Sequence, residues 1–549
     1  MLMTKRSFQT ITIGLALVLL AMGFILPAKT TYALSYSYDT FPDGKLGLPR
    51  PDIGVRLDLS EALDPKSYIM YLNGSEVPVQ YDSGEDSFIY RPVEDLPAGD
   101  YEVQLVIRYP GYEAGMLSWK FAILPGAANL IEPSTKEQRE GLQAINDYRL
   151  LHGLLPVTLN DKLNAAAKKH AQYLYINEID PIHTSVSLHD EDPSKPGYIG
   201  KTLSERMDYV GYDRSASEDA AYNDDPLIEA IDSLFDAPYH RIPFLNPNLS
   251  EIGIYRSDIY HVVEFGFNEA LTPKLVVSPA EGDSYVPVAF DGNESPDPIR
   301  IHRGGNYPVG YPIMGLVNGA GIQKVSIVQA ELKDEKGKSL ELLINEPSGD
   351  DHLNTEVILM PAKPLTPDTK YQAKLKINAL KKDGTDQIFE KEWSFRTEPS
   401  AGMGAKKLHN DVQSYLLQKN KFGLNQSHTV KFGLDDSFYT LDQVSSQMRR
   451  APYIVSGTSF LYIRDLAAAL GASVEWDDAR KAAIYTKKDK IITFFTNRNA
   501  YAVGGVEVPT ESPARLIDDN TMIPVRLLSE TLGAKVDYIE STRTVVITY

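Results

Sequence analysis

The sequence predicts a multidomain protein in which a segment of helices and loops lies between two β-sandwiches and a duplicated α+β module follows. Three observations lead there. The chain has 549 residues, more than one hydrophobic core fills, because single cores stop growing near ~250–300 residues. Two distant stretches of alternating β-branched and aromatic residues echo each other, and the last part of the chain repeats itself without a gap.

The chain opens on "MLMTKRSFQTITIGLALVLLAMGFILPAKTTYALS". Lys5 and Arg6 precede an apolar run from Ile11 to Leu26 and a small-residue site ending at Ala33, which predicts a secretory signal peptide over residues 1–33. An uncleaved membrane anchor is the alternative. No later stretch reads as a membrane span, so the expected location is secreted, extracellular or cell-wall associated. The absence of Cys excludes a disulfide framework, a Cys nucleophile and a thiolate metal site. A net charge of -19 argues against nucleic acid, whose phosphates need clustered Lys and Arg, and is compatible with a cation or a basic partner.

Residues 36–126 read as the first sandwich, with short alternating runs such as "IGVRLDL" and "GDYEVQLVIRY" and a hairpin turn at Asn73-Gly74. "LPAGDYEVQLVI" and "LSWKFAIL" are echoed by "LTPDTKYQAKLKI" and "KEWSFRTEP", which places a second sandwich over 271–398 and reads Trp119 and Trp393 as core anchors. Both resemble the immunoglobulin-like domains of bacterial secreted and surface proteins.

Between them, residues 134–270 change texture. Ser134 and Glu137 have the spacing of a capping box, and Leu142, Ile145 and Tyr148 follow at helical intervals. After a turn at Gly153, Asn160 reads as a second N-cap, with Leu163, Ala166, Ala167, Ala171 and Leu174 on one buried face. His170 falls beside that face, His152 and His183 read as loop residues, and His261 in "IYHVVEFGF" as packing or cleft wall.

Several motifs occur there in order: "LQAINDYRLLHGLLPVTLNDKLNAAAKKHAQYL", "LHDEDPSKPGYIGKTLSERMDYVGY", "DAPYHR" and "HVVEFGF". Together they resemble the CAP superfamily, also called SCP/PR-1-like. That resemblance implies an α-β-α sandwich with an open cleft holding two His and two acidic residues. Carried over by position, His189 and His240 take the His places and Glu218 in "SEDA" takes the place of the Glu in the family's "GENI". The fourth place falls on Asp236 or Glu229.

Two neutral imidazoles and a carboxylate form a set that holds Zn or another divalent cation with a position left for water. Without metal, a His beside a carboxylate serves as a general base. Taken singly, each residue also has a structural reading: His240 as the cap of a helix C-terminus, His189 as a turn residue. The long Gly/Pro-rich stretch Asp291 to Ile313 belongs to the length class of functional or mobile loops. Its Asp291, Glu294 and Asp297 lack EF-hand spacing.

After a linker at 399–435, residues 436–549 carry the duplication. "SFLYIRDLAAALGASVEWDDARKAAIYT" aligns with "TMIPVRLLSETLGAKVDYIESTRTVVIT", setting Arg464 on Arg526 and Gly471 on Gly533. Each copy reads as a short helix closed by Gly, then two strands. The segment resembles the module named after the N-terminal domain of copper amine oxidases, found in secreted Gram-positive proteins. From Thr429 to Tyr549 there is no His or Cys, so neither copper nor amine oxidation is expected, and attachment is the implied role. The expectation for the whole chain is a cell-envelope binding protein whose partner is a wall component, a protein or a small ligand. The rival is a metal-assisted or acid/base hydrolase using His189, Glu218 and His240.

Overall fold

Two sheets face each other in the N-terminal part of the computed structural model, which describes residues 36–398 and 429–548 apart from 60–62, 84–85, 113, 185, 269–271, 284, 435–437, 442–443, 456, 471, 488–489, 518–519 and 532–533. The expected signal peptide at 1–33, most of the expected linker and the expected glycine caps at Gly471 and Gly533 lie outside the described residues. The protein is multidomain and mostly β, with few helices. Among the described residues no helix is long and apolar enough to cross a membrane.

In the first sheet Ile53–Leu59 lies between Tyr36–Phe41 and Ser87–Tyr90; in the second Gly99–Arg108 lies between Gly115–Ile123 and Ser67–Leu72. Ile53, Val55 and Phe88 from one sheet and Val103, Leu105 and Trp119 from the other share a core. Asn73 and Gly74 both have positive φ, +49° and +79°, as a type I′ hairpin requires. Residues 190–215 belong to the same compact unit. The Gly47 N–H donates to the Tyr209 carbonyl at 2.8 Å, and a Cβ on Gly47 would meet the Tyr209 ring at 2.2 Å, so only glycine fits there. Arg56 pairs with Asp213.

The second unit takes in the described residues of 132–189 and 216–549. Its central sheet runs Thr158–Leu159, Leu249–Ser257, Tyr260–Phe267, Ser215–Tyr222. Helices lie on both faces. Helix α1 (Lys136–Leu151) packs with Ile252, Ile254, Val263 and Phe265, whereas Ala167, Ala171 and Leu174 of α2 (Asp161–Ile176) pack with Tyr260 and Val262. The period of two along a strand sends Val262 and Val263 to opposite faces. The Asn160 side chain caps α2, accepting from the N–H groups of Lys162 and Leu163. The cap of α1 is Thr135 with Gln138, one residue beyond the Ser134 and Glu137 read from the sequence. Both pairs satisfy the same motif, and hydrogen bonding selects the second.

Helix α3 (Leu203–Tyr209) lies in the first unit; α4 (Leu227–Asp236) and α5 (Pro238–Leu245) lie in the second. Pro238 opens α5 because a first-turn position needs no N–H. His240 therefore stands in the first turn of a helix, not at the C-terminal end where the sequence had placed it.

In the second sandwich, Lys274–Ser278, Ile313–Asn318, Glu356–Pro361 and Leu342–Asn345 form one sheet, and Ile322–Asp334, Lys370–Lys381 and Asp386–Arg396 the other. Trp393 is buried between them, its indole N–H donating to the Pro279 carbonyl. Phe290, Met314 and Ile358 share one apolar cluster with Tyr239 and Ile242, so this sandwich and the sheet-and-helix segment form a continuous core. Farther along, Thr429–Gly433 pairs with Thr544–Thr548. Residues 429–433, read as linker from the sequence, belong to the C-terminal module because Val430 and Phe432 alternate into its core.

Gly253 marks the closest approach of helix to sheet: a Cβ there would lie 2.1 Å from the Leu163 carbonyl carbon in α2. Gly253→Ala must displace α2 and is expected to destabilise this unit by about 1–3 kcal/mol. Gly349→Ala, whose methyl would meet nothing within 4 Å, is the control, and equal thermal midpoints for the two variants would contradict this packing.

Candidate functional site

The first turn of α5 has N–H groups without intrahelical partners. Those of Tyr239 and His240 donate to Glu294 Oε1 at 2.7 and 3.0 Å, and His240 Nδ1 donates to the same oxygen at 2.9 Å. A carboxylate is favoured at a helix N-terminus. The Glu294 side chain is fully buried, and its Oε2 has no hydrogen-bond partner. It comes from the loop of the second sandwich between the paired strands Ala289–Phe290 and Val309–Gly310.

The other imidazole has a partner closer in sequence. His189 Nδ1 lies 2.8 Å from Oε1 of Glu218, a buried residue of the Ser215–Tyr222 strand. His170 of α2 backs this pair: its Nε2 bonds the Leu188 carbonyl at 2.7 Å and lies 3.7 Å from Glu218 Oε1. One cleft is lined by His189, Glu218, Asp219, Tyr239, His240, Ser295 and Pro296. The three residues carried over from the family pattern thus share a cleft.

Asp219 is buried, with no hydrogen-bond partner for Oδ2. Burial pushes its carboxyl up to about 7 against the opposing pull of His240. Burial also works against a charged His240, but the Glu294 hydrogen bond and the charges of Asp219 and Glu294 outweigh it and raise its value.

The fourth place is filled by neither Asp236 nor Glu229. Asp236 ends α4 and turns to Tyr311 and Arg241, with burial pushing it up to about 7, and Glu229 lies in the first turn of α4; neither lines the cleft. The sequence reading missed Asp219, which adjoins Glu218, and Glu294, whose only signal was an acidic residue within a long loop. Of the other histidines, His183 is exposed beside Asp180, His152 ends α1 against the Tyr148 carbonyl, and buried His261 bonds the Asn223 carbonyl. Among the described residues no group of three or more His, Asp or Glu side chains converges on a point where one metal ion would sit.

A family model, the Cysteine-rich secretory protein family (CAP), matches residues 142–265. The chain carries a CAP segment. The model of the Copper amine oxidase N-terminal domain matches residues 440–547. Among solved structures, an extracellular protein containing a SCP domain from Bacillus anthracis str. Ames is 15% identical, with 42% of this chain and 86% of that chain covered and a TM-score of 0.19. A cysteine-rich secretory protein from Staphylococcus aureus subsp. aureus Mu50 is 13% identical, with coverages of 44% and 87% and a TM-score of 0.17. An endo-beta-1,4-mannanase from Thermotoga petrophila is 12% identical with a TM-score of 0.14; the match covers 18% of this chain and only 21% of that enzyme. No curated protein matches the chain.

The shifts of His240 and Asp219 imply a pH response for the cleft. A raised His240 stabilises the fold fully below its ordinary 6.5 and loses that contribution as pH rises through the higher folded value. Asp219, raised from 3.8 to about 7, favours the fold when neutral and costs stability as pH climbs through that interval. Both have the same sign. The chain is expected to lose stability as pH rises from about 4 to 7 through Asp219, and further above 6.5 through His240, less steeply in Asp219→Asn and His240→Ala; identical denaturation profiles for wild type and variants would refute it.

Proposed function

We propose that the chain is a secreted, cell-envelope-associated binding protein whose CAP cleft captures a divalent cation or a small cationic ligand through His189 and His240. One observation carries this reading: each imidazole has a carboxylate at Nδ1, so in the neutral ring Nε2 is the unprotonated nitrogen. Metal-ligating histidines are commonly oriented by such a partner. Imidazole nitrogens suit zinc, and fewer than three convergent protein groups leave positions for water or for oxygens of a ligand. Zinc there would polarise a carbonyl or acidify a bound water. Asp219 adds an unpartnered buried oxygen that favours positive charge.

The helices on both faces of the central sheet support the α-β-α layering that the family resemblance implies. A wall component, a protein or a small ligand is the partner class of this reading, with the C-terminal module serving attachment rather than copper chemistry. A second reading has its own observation. Asp219, titrating near 7 beside His240, has the character of an acid/base pair, which favours a hydrolase; turnover lost in His240→Ala with binding retained would select it.

Calorimetric titration of zinc into the full chain tests the first reading. Binding is expected to weaken at least tenfold in His189→Ala or His240→Ala and to vanish in the double variant. Absence of heat with wild type, or unchanged binding by the double variant, would refute it.

A further inference from the structure

The two imidazoles of the cleft are oriented by carboxylates from different parts of the chain. Glu218 lies within the CAP segment, whereas Glu294 lies outside the matched residues 142–265, in the second sandwich. Its Oε1 collects three donors, two of them backbone N–H groups, so its position relative to the imidazole is set by the backbone of α5 and not only by the ring.

The loop that carries it is held at several points. Its ends pair as Ala289 with Gly310 and Phe290 with Val309. The Asn345 side chain donates to the Pro298 carbonyl at 2.8 Å, and the Tyr307 hydroxyl to Asp297 at 2.6 Å. Arg300 joins Asp350 and also donates to the Tyr239 hydroxyl at 2.6 Å. Gly292, with φ +84°, lies so close to the Tyr307 ring that a Cβ would come within 2.4 Å of it. The next two residues after Glu294, Ser295 and Pro296, line the cleft themselves.

We infer that Glu294 is the positioning residue of His240, holding its proton on Nδ1 and aiming Nε2 at the cleft, so that the cleft is assembled by the CAP segment and the second sandwich together. A neutral histidine free in water prefers the proton on Nε2, so the opposite tautomer requires an acceptor at Nδ1. A carboxylate accepts only, which makes the direction of the hydrogen bond unambiguous. Glu294→Ala removes that acceptor, whereas Glu294→Gln keeps an amide oxygen able to take the same bond.

The test is nitrogen-15 NMR of the full chain labelled at histidine, at a pH where the ring is neutral, with His240→Ala assigning the signal. The expected tautomer is Nδ1–H in wild type and Glu294→Gln, and Nε2–H in Glu294→Ala. Zinc affinity is expected to fall about 10–100-fold in Glu294→Ala and to recover largely in Glu294→Gln. Only this affinity arm rests on the cation-binding reading, so a chain that binds no zinc refutes that reading while the tautomer still decides this one. A wild-type Nε2–H tautomer overturns the inference, as does a Glu294→Ala variant that keeps Nδ1–H, even if that variant is less stable.

Discussion

The docking of the first turn of α5 against the second sandwich is the constraint from which the cleft follows. Three consecutive residues take part. The Tyr239 hydroxyl bonds Asp350, His240 meets Glu294, and Arg241 reaches the Pro312 carbonyl and the Ser278 hydroxyl while also donating to the Phe235 and Asp236 carbonyls. Arg241 is fully buried, and its guanidinium lies 4.4 Å from the Tyr311 ring centroid. A buried guanidinium is tolerable only when its donors are satisfied, so this turn cannot leave the sandwich without stranding a charge. The common apolar cluster beneath it makes the two parts one packing problem.

The same burial gives two acids opposite roles. Asp219 and Asp236 are both pushed up to about 7 by desolvation. Asp236 is enclosed by Arg241 and Tyr311 and belongs to the docking joint. Asp219 lines the cleft, with one oxygen lacking a partner. A shifted carboxyl therefore does not mark a binding site by itself: each acid has one buried oxygen without a hydrogen-bond partner, and what separates the two is access to the cleft. Glu218 and Asp219 line the cleft with His189 and His240, and Glu294 stands behind His240, so three carboxyl groups gather around two imidazoles.

Local and repeated features were legible in the sequence. The Asn160 cap, the buried face of α2, the Asn73-Gly74 hairpin and the core positions of Trp119 and Trp393 depend on neighbours a few residues away or on the period of a strand. His189, Glu218 and His240 were legible through family motifs. Reading fails where the partner is distant. Ser134 and Thr135 offer equivalent caps until hydrogen bonds choose, and Pro238 reads equally as a helix end or a helix start. Glu294 is the clearest case: 54 residues separate it from His240, and nothing in its own surroundings announces an imidazole.

That separation has a consequence for how the cleft can vary. The His189 side is built from His170, Glu218 and the Leu188 carbonyl, all within the CAP segment. The His240 side depends on a loop whose base is tied by Arg300, Asn345 and Asp350, residues whose contacts run through Tyr239 at the same turn of α5. Changes in the second sandwich can thus reach one imidazole and spare the other. On the proposed reading, in which both imidazoles face one ligand, the geometry of the junction between the two domains, more than the composition of either, would set how well the cleft binds.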